Sequence, residues 1–314
     1  MDRNTKIAVV GGGAIGASLA VLFTGNGYHT VLLEKNDMER SRSKVSDFYK
    51  DLVENGLMTE EQAGICLSYL NITSDYLDIS DAGIIFESVP EILEIKHQVY
   101  REIEGNCNKF EVLASVTSAI SADQLAEGLR QKEKLVVAHP FYPAHMIPCV
   151  EVVQSIHTSK AAVELALEFL KDLKREVVLL KKNKPGFIAN RLQYAMLREA
   201  IYIVEQGIAS PEDVDRTLMY SFAPRYTSIG IFEHFDNCGL DLTESICSYL
   251  YPHLAKDESV QNYIDERCRQ GKFGIKSGEG VYDWKEKDLE QFRRKTAEAY
   301  LRFFSWNIPK EPEP

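Results

Sequence analysis

His139 ends the apolar run Val136-Val137-Ala138 and is followed by Pro140-Phe141-Tyr142-Pro143. Twelve residues later, Glu151 interrupts a second apolar run, Cys149-Val150-Glu151-Val152-Val153. Imidazole titrates close to neutral pH, and a carboxylate enclosed in an apolar strand is costly to bury without a partner. A histidine at a strand end with such a carboxylate to orient it is the minimal general acid/base pair. Each residue alone also has a plainer reading, since histidines near prolines are commonly structural and an embedded glutamate can simply pair with a lysine. A second group is Gly11, Gly13 and Gly16, at G-x-G-x-x-G spacing. Glycines so spaced permit a tight turn, close approach of backbone to a pyrophosphate, and packing of a helix on a strand.

The elements around the glycines fit that use. Lys6 to Val10 reads as a strand, Ala17 to Phe23 as a helix stopped by Gly25-Asn26-Gly27, and Thr30-Val31-Leu32-Leu33-Glu34 as a second strand closing on an acid. The helix N-terminus then faces the phosphates, with Gly11, Gly13, Ala14, Ile15 and Gly16 against the cofactor. Glu34, 18 residues after Gly16, is placed to accept hydrogen bonds from ribose hydroxyls and to repel a 2′-phosphate. NAD is therefore expected over NADP, although Lys35 beside Glu34 softens the discrimination and FAD shares the fingerprint.

The 314 residues are about twice a typical domain, and 45% apolar with 26% charged residues is the balance of an ordinary folded protein. The 36 basic and 47 acidic residues give −11 without a basic block, which argues against a nucleic-acid partner. No run is long and apolar enough for a membrane span or a signal-peptide core, so a cytoplasmic protein is expected. The six cysteines form no C-x-x-C pair and no Cys/His spacing, so neither a metal site nor a disulfide framework is expected.

Strand-like runs at 82–87, 112–115, 135–138, 149–153 and 177–180 alternate with helical segments such as Glu91 to Glu104 and Lys160 to Leu173. A charged helical excursion occupies 37–70. Beyond Lys184-Pro185-Gly186 nearly everything reads as helix, with Ser210-Pro211-Glu212-Asp213 carrying a hydroxyl cap, an N-terminal proline and acids at the positive helix end. The fold expected is α/β, an N-terminal Rossmann-type doubly wound sheet (1–183) followed by a smaller all-α domain (184–307), with the proline-rich 308–314 disordered.

Three further blocks carry a resemblance. Ala138-His139-Pro140-Phe141-Tyr142-Pro143 with Glu151, Pro185-Gly186-Phe187-Ile188-Ala189-Asn190-Arg191-Leu192, and Gly271 to Tyr282 stand in one order along the chain. From Gly11 to about Trp284 the sequence resembles the 3-hydroxyacyl-CoA dehydrogenase family, whose wider group includes the L-gulonate 3-dehydrogenase/lambda-crystallin and L-carnitine dehydrogenase branches. The resemblance implies that His139 is the catalytic histidine and Glu151 its orienting carboxylate. It implies that Ser118 and Asn190 hold the reacting oxygen, and that Glu91, Lys96 and Lys276 contact the nicotinamide half of NAD. It also implies a homodimer through the helical domain, in keeping with the apolar length of 188–204.

Two positions depart from the family pattern. Tyr142 and Val116 each stand where the family usually has asparagine, and Tyr142 would reshape the substrate pocket. The expected reaction is NAD-dependent interconversion of a short-chain 3-hydroxyacyl-CoA, 3-hydroxybutyryl-CoA-like, with its 3-keto form. A free polar 3-hydroxy acid of the L-gulonate or L-carnitine type is the alternative, with Arg225 as the candidate carboxylate contact. A non-catalytic NAD-binding structural or sensor protein is the alternative from another class.

Overall fold

The structure, a computed structural model, describes residues 2–311. Eight strands form one sheet: β1 (Ile7–Val10), β2 (Thr30–Leu33), β3 (Leu70–Thr73), β4 (Ile84–Glu87), β5 (Val112–Ser115), β6 (Leu135–Pro140), β7 (Cys149–Gln154) and β8 (Glu176–Leu179). Their spatial order is β3-β2-β1-β4-β5-β6-β7-β8, and every neighbouring pair is parallel except the antiparallel β6–β7. The central strands β1, β2, β4, β5 and β6 are buried along their whole length. Helices cover both faces of a parallel sheet, and this is why these strands are continuous apolar runs rather than alternating ones. The edge strand β3 is half exposed and mixes Asn71 and Thr73 with Leu70 and Ile72, so it lacks the apolar run that marks the others.

Six helices alternate with the strands: α1 (Ala14–Gly25), α2 (Met38–Glu54), α3 (Glu60–Ser68), α4 (Leu93–Asn106), α5 (Ala122–Ala126) and α6 (Lys160–Asp172). Successive strand residues feed opposite faces. Ile7 and Val9 join Phe23, Tyr49 and Phe169 in one core, while Ala8 and Val10 join Tyr100, Ile103 and Leu125 in the other. Fully burying a side chain such as Phe23 or Phe169 contributes roughly 1.5–3 kcal/mol.

The remaining helices are α7 (Ala189–Glu205), α8 (Pro211–Tyr220), α9 (Ile231–Cys238), α10 (Leu240–Leu250), α11 (Asn262–Arg269) and α12 (Leu289–Leu301). Ser210 caps α8 as its sequence predicts, its hydroxyl accepting from the Asp213 N–H at 3.1 Å. Two compact units result, one running to Phe187 and resuming at Arg294, the other Ile188–Arg293. This differs from the expected division at 183/184 and 307/308. After Arg294 the chain rejoins the sheet unit because Tyr300, Leu301, Phe304, Trp306 and Ile308 pack on its core. Ile308 thus departs from the expected disordered tail, of which residues 312–314 lie outside the described residues. No helix among the described residues is long and apolar enough to cross a membrane.

Candidate functional site

The glycine loop joins β1 to α1. Gly11 has φ +107°, and a Cβ there would stand 2.7 Å from the Ser88 carbonyl oxygen. A Cβ on Gly16 would stand 1.8 Å from the Gly11 carbonyl oxygen, so helix and turn pack too closely for any side chain. Gly13 is different: as the N-cap residue of α1 it faces open space, with nothing within 4 Å of a Cβ position. The exposed Ala14 and half-buried Ile15 follow it into the helix. The one open glycine thus lies at the positive end of α1, where an anionic group is favoured. Glu34 stands at the lip, accepting the Gly12 N–H at 2.7 Å and the Asn36 N–H at 2.9 Å. Its oxygens keep lone pairs for hydroxyl donors. From α2, Ser41 and Lys44 both donate to the Gly12 carbonyl, at 2.9 and 3.2 Å.

His139 and Glu151 are brought together by sheet register. The antiparallel β6–β7 pair sets the two residues directly opposite, and the imidazole Nδ1 lies 3.0 Å from Glu151 Oε2. Both are buried, with side chains 7% and 2% exposed. Phe141 and Phe187 pack on the imidazole at 4.8 and 5.4 Å between ring centroids. With Nδ1 engaged, Nε2 is the nitrogen left for a substrate proton. Tyr142 is 56% exposed, and its ring meets Phe48 of α2 edge-on at 6.4 Å.

A third cluster sits at the ends of β4 and β5. Glu87 is fully buried and accepts from Lys96 Nζ at 2.7 Å, Tyr100 at 2.9 Å, Ser115 at 2.7 Å and the Val89 N–H at 2.9 Å. Lys96 is also buried and pairs with Glu91 at 3.3 Å, so one ammonium serves two carboxylates. Glu91 in turn accepts the Thr117 hydroxyl and the Ser118 and Ala119 N–H groups, the last two at 3.0 and 3.1 Å. Burial opposes ionisation of Glu91, but the Thr117 hydroxyl, Lys96 and the two N–H groups outweigh it and hold its carboxyl below the ordinary range. Burial and the neighbouring Glu87 push the Tyr100 phenol well above its usual value, keeping it a donor.

Of the residues singled out from sequence, the glycines, Glu34, Glu91, Lys96, Ser118, His139, Tyr142 and Glu151 lie in the sheet unit. Ser118 is exposed on the loop that Glu91 holds, whereas Lys96 is enclosed and reaches the surface only through Glu91. Asn190, Arg225 and Lys276 lie in the second unit. Asn190 is the second residue of α7, Lys276 is exposed, and exposed Arg225 lies 2.7 Å from His234 Nε2. The sequence does not single out Glu87 or Ser41, and Lys44, with Arg40, Arg42 and Lys50, reads there equally as a CoA-contacting cation or as part of a solvated helix face. Glu87 carries the signal that marked Glu151, an acid closing an apolar strand, but Ser41 looks like any solvated helix face.

A doubly wound sheet with an open glycine at a helix N-terminus and an acid at the neighbouring strand end defines a dinucleotide-binding protein. The family model for the 3-hydroxyacyl-CoA dehydrogenase NAD binding domain matches residues 6–183, and that for the family's C-terminal domain matches 186–284. The chain belongs to the 3-hydroxyacyl-CoA dehydrogenase family, and its sheet unit binds NAD. It is 33% identical over 285 residues to 5-formyl-3-hydroxy-2-methylpyridine 4-carboxylate 5-dehydrogenase of Mesorhizobium japonicum, covering 90% of this chain and 91% of that one. It is 33% identical over 239 residues to L-carnitine dehydrogenase of Oceanobacillus iheyensis, covering 74% and 76%. Among solved structures, a 5-formyl-3-hydroxy-2-methylpyridine 4-carboxylic acid 5-dehydrogenase described as an NAD+ dependent dismutase superimposes with TM-score 0.87. That pair is 31% identical and covers 95% and 97% of the two chains.

Proposed function

We propose that this NAD-dependent oxidoreductase oxidises the hydroxyl group of a small, free, polar hydroxy acid, and reduces the corresponding carbonyl in reverse. The observation that carries the small free acid in this reading is the similarity, over nine-tenths of both chains, to a dehydrogenase whose named substrate is a small formyl- and hydroxy-substituted pyridine carboxylate. The L-carnitine dehydrogenase similarity supports it. The Tyr142 ring, which stands where the family usually has asparagine, packs edge-on against Phe48 of α2 beside the His139 loop. A short-chain 3-hydroxyacyl-CoA is the second reading, favoured by the two family models.

Bound NAD supplies the hydride acceptor. His139 Nε2 takes the hydroxyl proton as the carbon loses its hydrogen with the electron pair, and Glu151 at Nδ1 stabilises the imidazolium. In the sheet unit, Ser118 would hold the substrate oxygen and Glu91, with Lys96 paired to it, would contact the nicotinamide half of NAD; in the second unit, Asn190 is the proposed substrate contact and Lys276 the proposed cofactor contact. Arg225, backed by His234, holds the substrate carboxylate.

The same reading includes a cytoplasmic homodimer built through the second unit. Helices α8, α9, α10 and α11 contribute no buried residue, while Leu192, Tyr194, Met196 and Leu197 of α7 are all exposed. Apolar side chains so uncovered call for a second copy.

The test is NADH formation with L-carnitine and L-gulonate, beside NADH consumption with acetoacetyl-CoA, on wild type and His139→Ala. Turnover of a free acid that is lost in the variant supports the proposal. Turnover of acetoacetyl-CoA alone transfers the protein to the second reading, and NADH binding without turnover of any of them points to the non-catalytic alternative.

A further inference from the structure

Residues 285–314 lie beyond both family models, yet from Arg294 onward the described chain belongs to the cofactor unit. Trp306 is only 9% exposed. Its six-membered ring fills the place of a side chain on Gly25, the last residue of α1, where a Cβ would stand 2.2 Å from the indole. Alanine is the better helix former, so a glycine at this helical position is explained by the ring it admits. The Asn307 N–H donates to Asn26 Oδ1 at 2.9 Å, fastening the residue that caps α1. The indole N–H has no acceptor among the described residues, so shape and ring contacts hold the side chain.

Trp306 also stands edge-on to His145, at 6.5 Å between centroids, with Phe48 on His145 at 4.7 Å. His145 is buried and joined twice to Ser18 in the second turn of α1: its N–H donates to Oγ at 3.0 Å, and its Nδ1 lies 2.7 Å from the same hydroxyl. His145 belongs to the loop between β6 and β7, three residues after Tyr142. One indole therefore touches the far end of the glycine-loop helix and the residue that ties that helix to the His139 loop.

We propose that Trp306 is a positioning residue for the cofactor site. By clamping Gly25 and His145 it fixes the seat of α1, and with it the placement of the glycine loop against the loop carrying Tyr142. The inference rests on NAD binding alone and holds whichever hydroxyl compound is oxidised.

The test is the Kd for NADH by nicotinamide fluorescence on wild type, Trp306→Phe, Trp306→Ala, Gly25→Ala and the Gly25→Ala/Trp306→Ala double variant, with thermal melts of each. Trp306→Ala and Gly25→Ala should each weaken NADH binding about tenfold. Trp306→Phe should stay near wild type, and the double variant should bind no worse than Trp306→Ala, because the added methyl then meets no ring. Wild-type NADH affinity in both single variants, even with a lowered Tm, would overturn the proposal and leave the segment as a stabilising strap. Should Trp306→Ala fail to fold, Gly25→Ala decides the question with the indole still present.

Discussion

His139 and Glu151 sit directly opposite each other across the antiparallel pair β6–β7, with Nδ1 and Oε2 3.0 Å apart. The register of β6 against β7 creates this pairing, because directly opposed residues on neighbouring strands project to the same face. Replacing the carboxylate while keeping its shape, as in Glu151→Gln, removes the charge that stabilises imidazolium. The kcat should fall by about 10²–10⁴ with little change in the Kd for NADH. Steady-state kinetics on whichever substrate turns over, beside NADH titration, reads both. An unchanged kcat would remove Glu151 from the chemistry.

The three glycines of the loop should separate cleanly by substitution. Gly16→Ala meets a carbonyl oxygen at 1.8 Å and Gly11→Ala a carbonyl at 2.7 Å with φ +107°, so both should lose folding stability. Gly13→Ala meets nothing. It should melt within about 1 kcal/mol of wild type, the cost of an alanine N-cap, yet bind NADH at least about tenfold more weakly because the methyl occupies the approach to the helix N-terminus. Thermal melts and NADH titrations of the three variants distinguish a turn glycine from a binding glycine.

Glu91 carries the loop of Ser118. Its folded-state pKa is depressed, so the order it confers is present above its unfolded value of about 4.5 and is lost as pH falls through the lower folded value. Across neutral pH the loop should therefore be insensitive to protonation. In Glu91→Gln the Ser118 and Ala119 amides should exchange with solvent faster and the KM for NAD should rise, while Lys96 keeps its pair with Glu87 and the fold persists. Unchanged exchange at these two amides would contradict the suspension described above.

His145 imposes an acid limit on stability. Burial first, and then the Arg175 charge, lower its pKa from 6.5 to about 3. The unfolded chain thus binds a proton that the folded chain refuses between those values, and stability rises with pH in that window. Its contribution is complete above 6.5 and is lost at about 1.4 kcal/mol per pH unit below it. Urea unfolding between pH 7 and pH 4 should show this slope in wild type, and a slope smaller by one proton in His145→Phe. Parallel curves for the two proteins would exclude His145 as the source.

Much of this arrangement is legible in the sequence because its chemistry is local or repeats with a short period. The β1–α1–β2 unit lies within 34 residues and announces itself by glycine spacing, and the central strands by continuous apolar runs. Glu151 is visible because an acid within an apolar strand is anomalous, and Glu87 carries the same mark. The branching of Lys96 between two carboxylates is not visible, because nothing in the spacing of 87, 91 and 96 says that the lysine is enclosed rather than solvated. Nor is Ser41 beneath Gly12, since that contact depends on how α2 crosses the loop. The proline-rich composition after Trp306 hides the packing of Ile308 on the core, and with it the neighbouring Asn307, which bonds a residue 281 positions earlier in the chain.

The Asn307–Asn26 hydrogen bond joins residues 281 positions apart. During synthesis at about 5–20 residues per second, α1 leaves the ribosome tens of seconds or less before its last partner is made. Throughout that interval Gly25 stands without the indole that covers it, and so does the Ser18–His145 pair once His145 has been made. This seam of the sheet unit closes only after the second unit has been translated, so the glycine-loop helix is among the last elements of its unit to be completed.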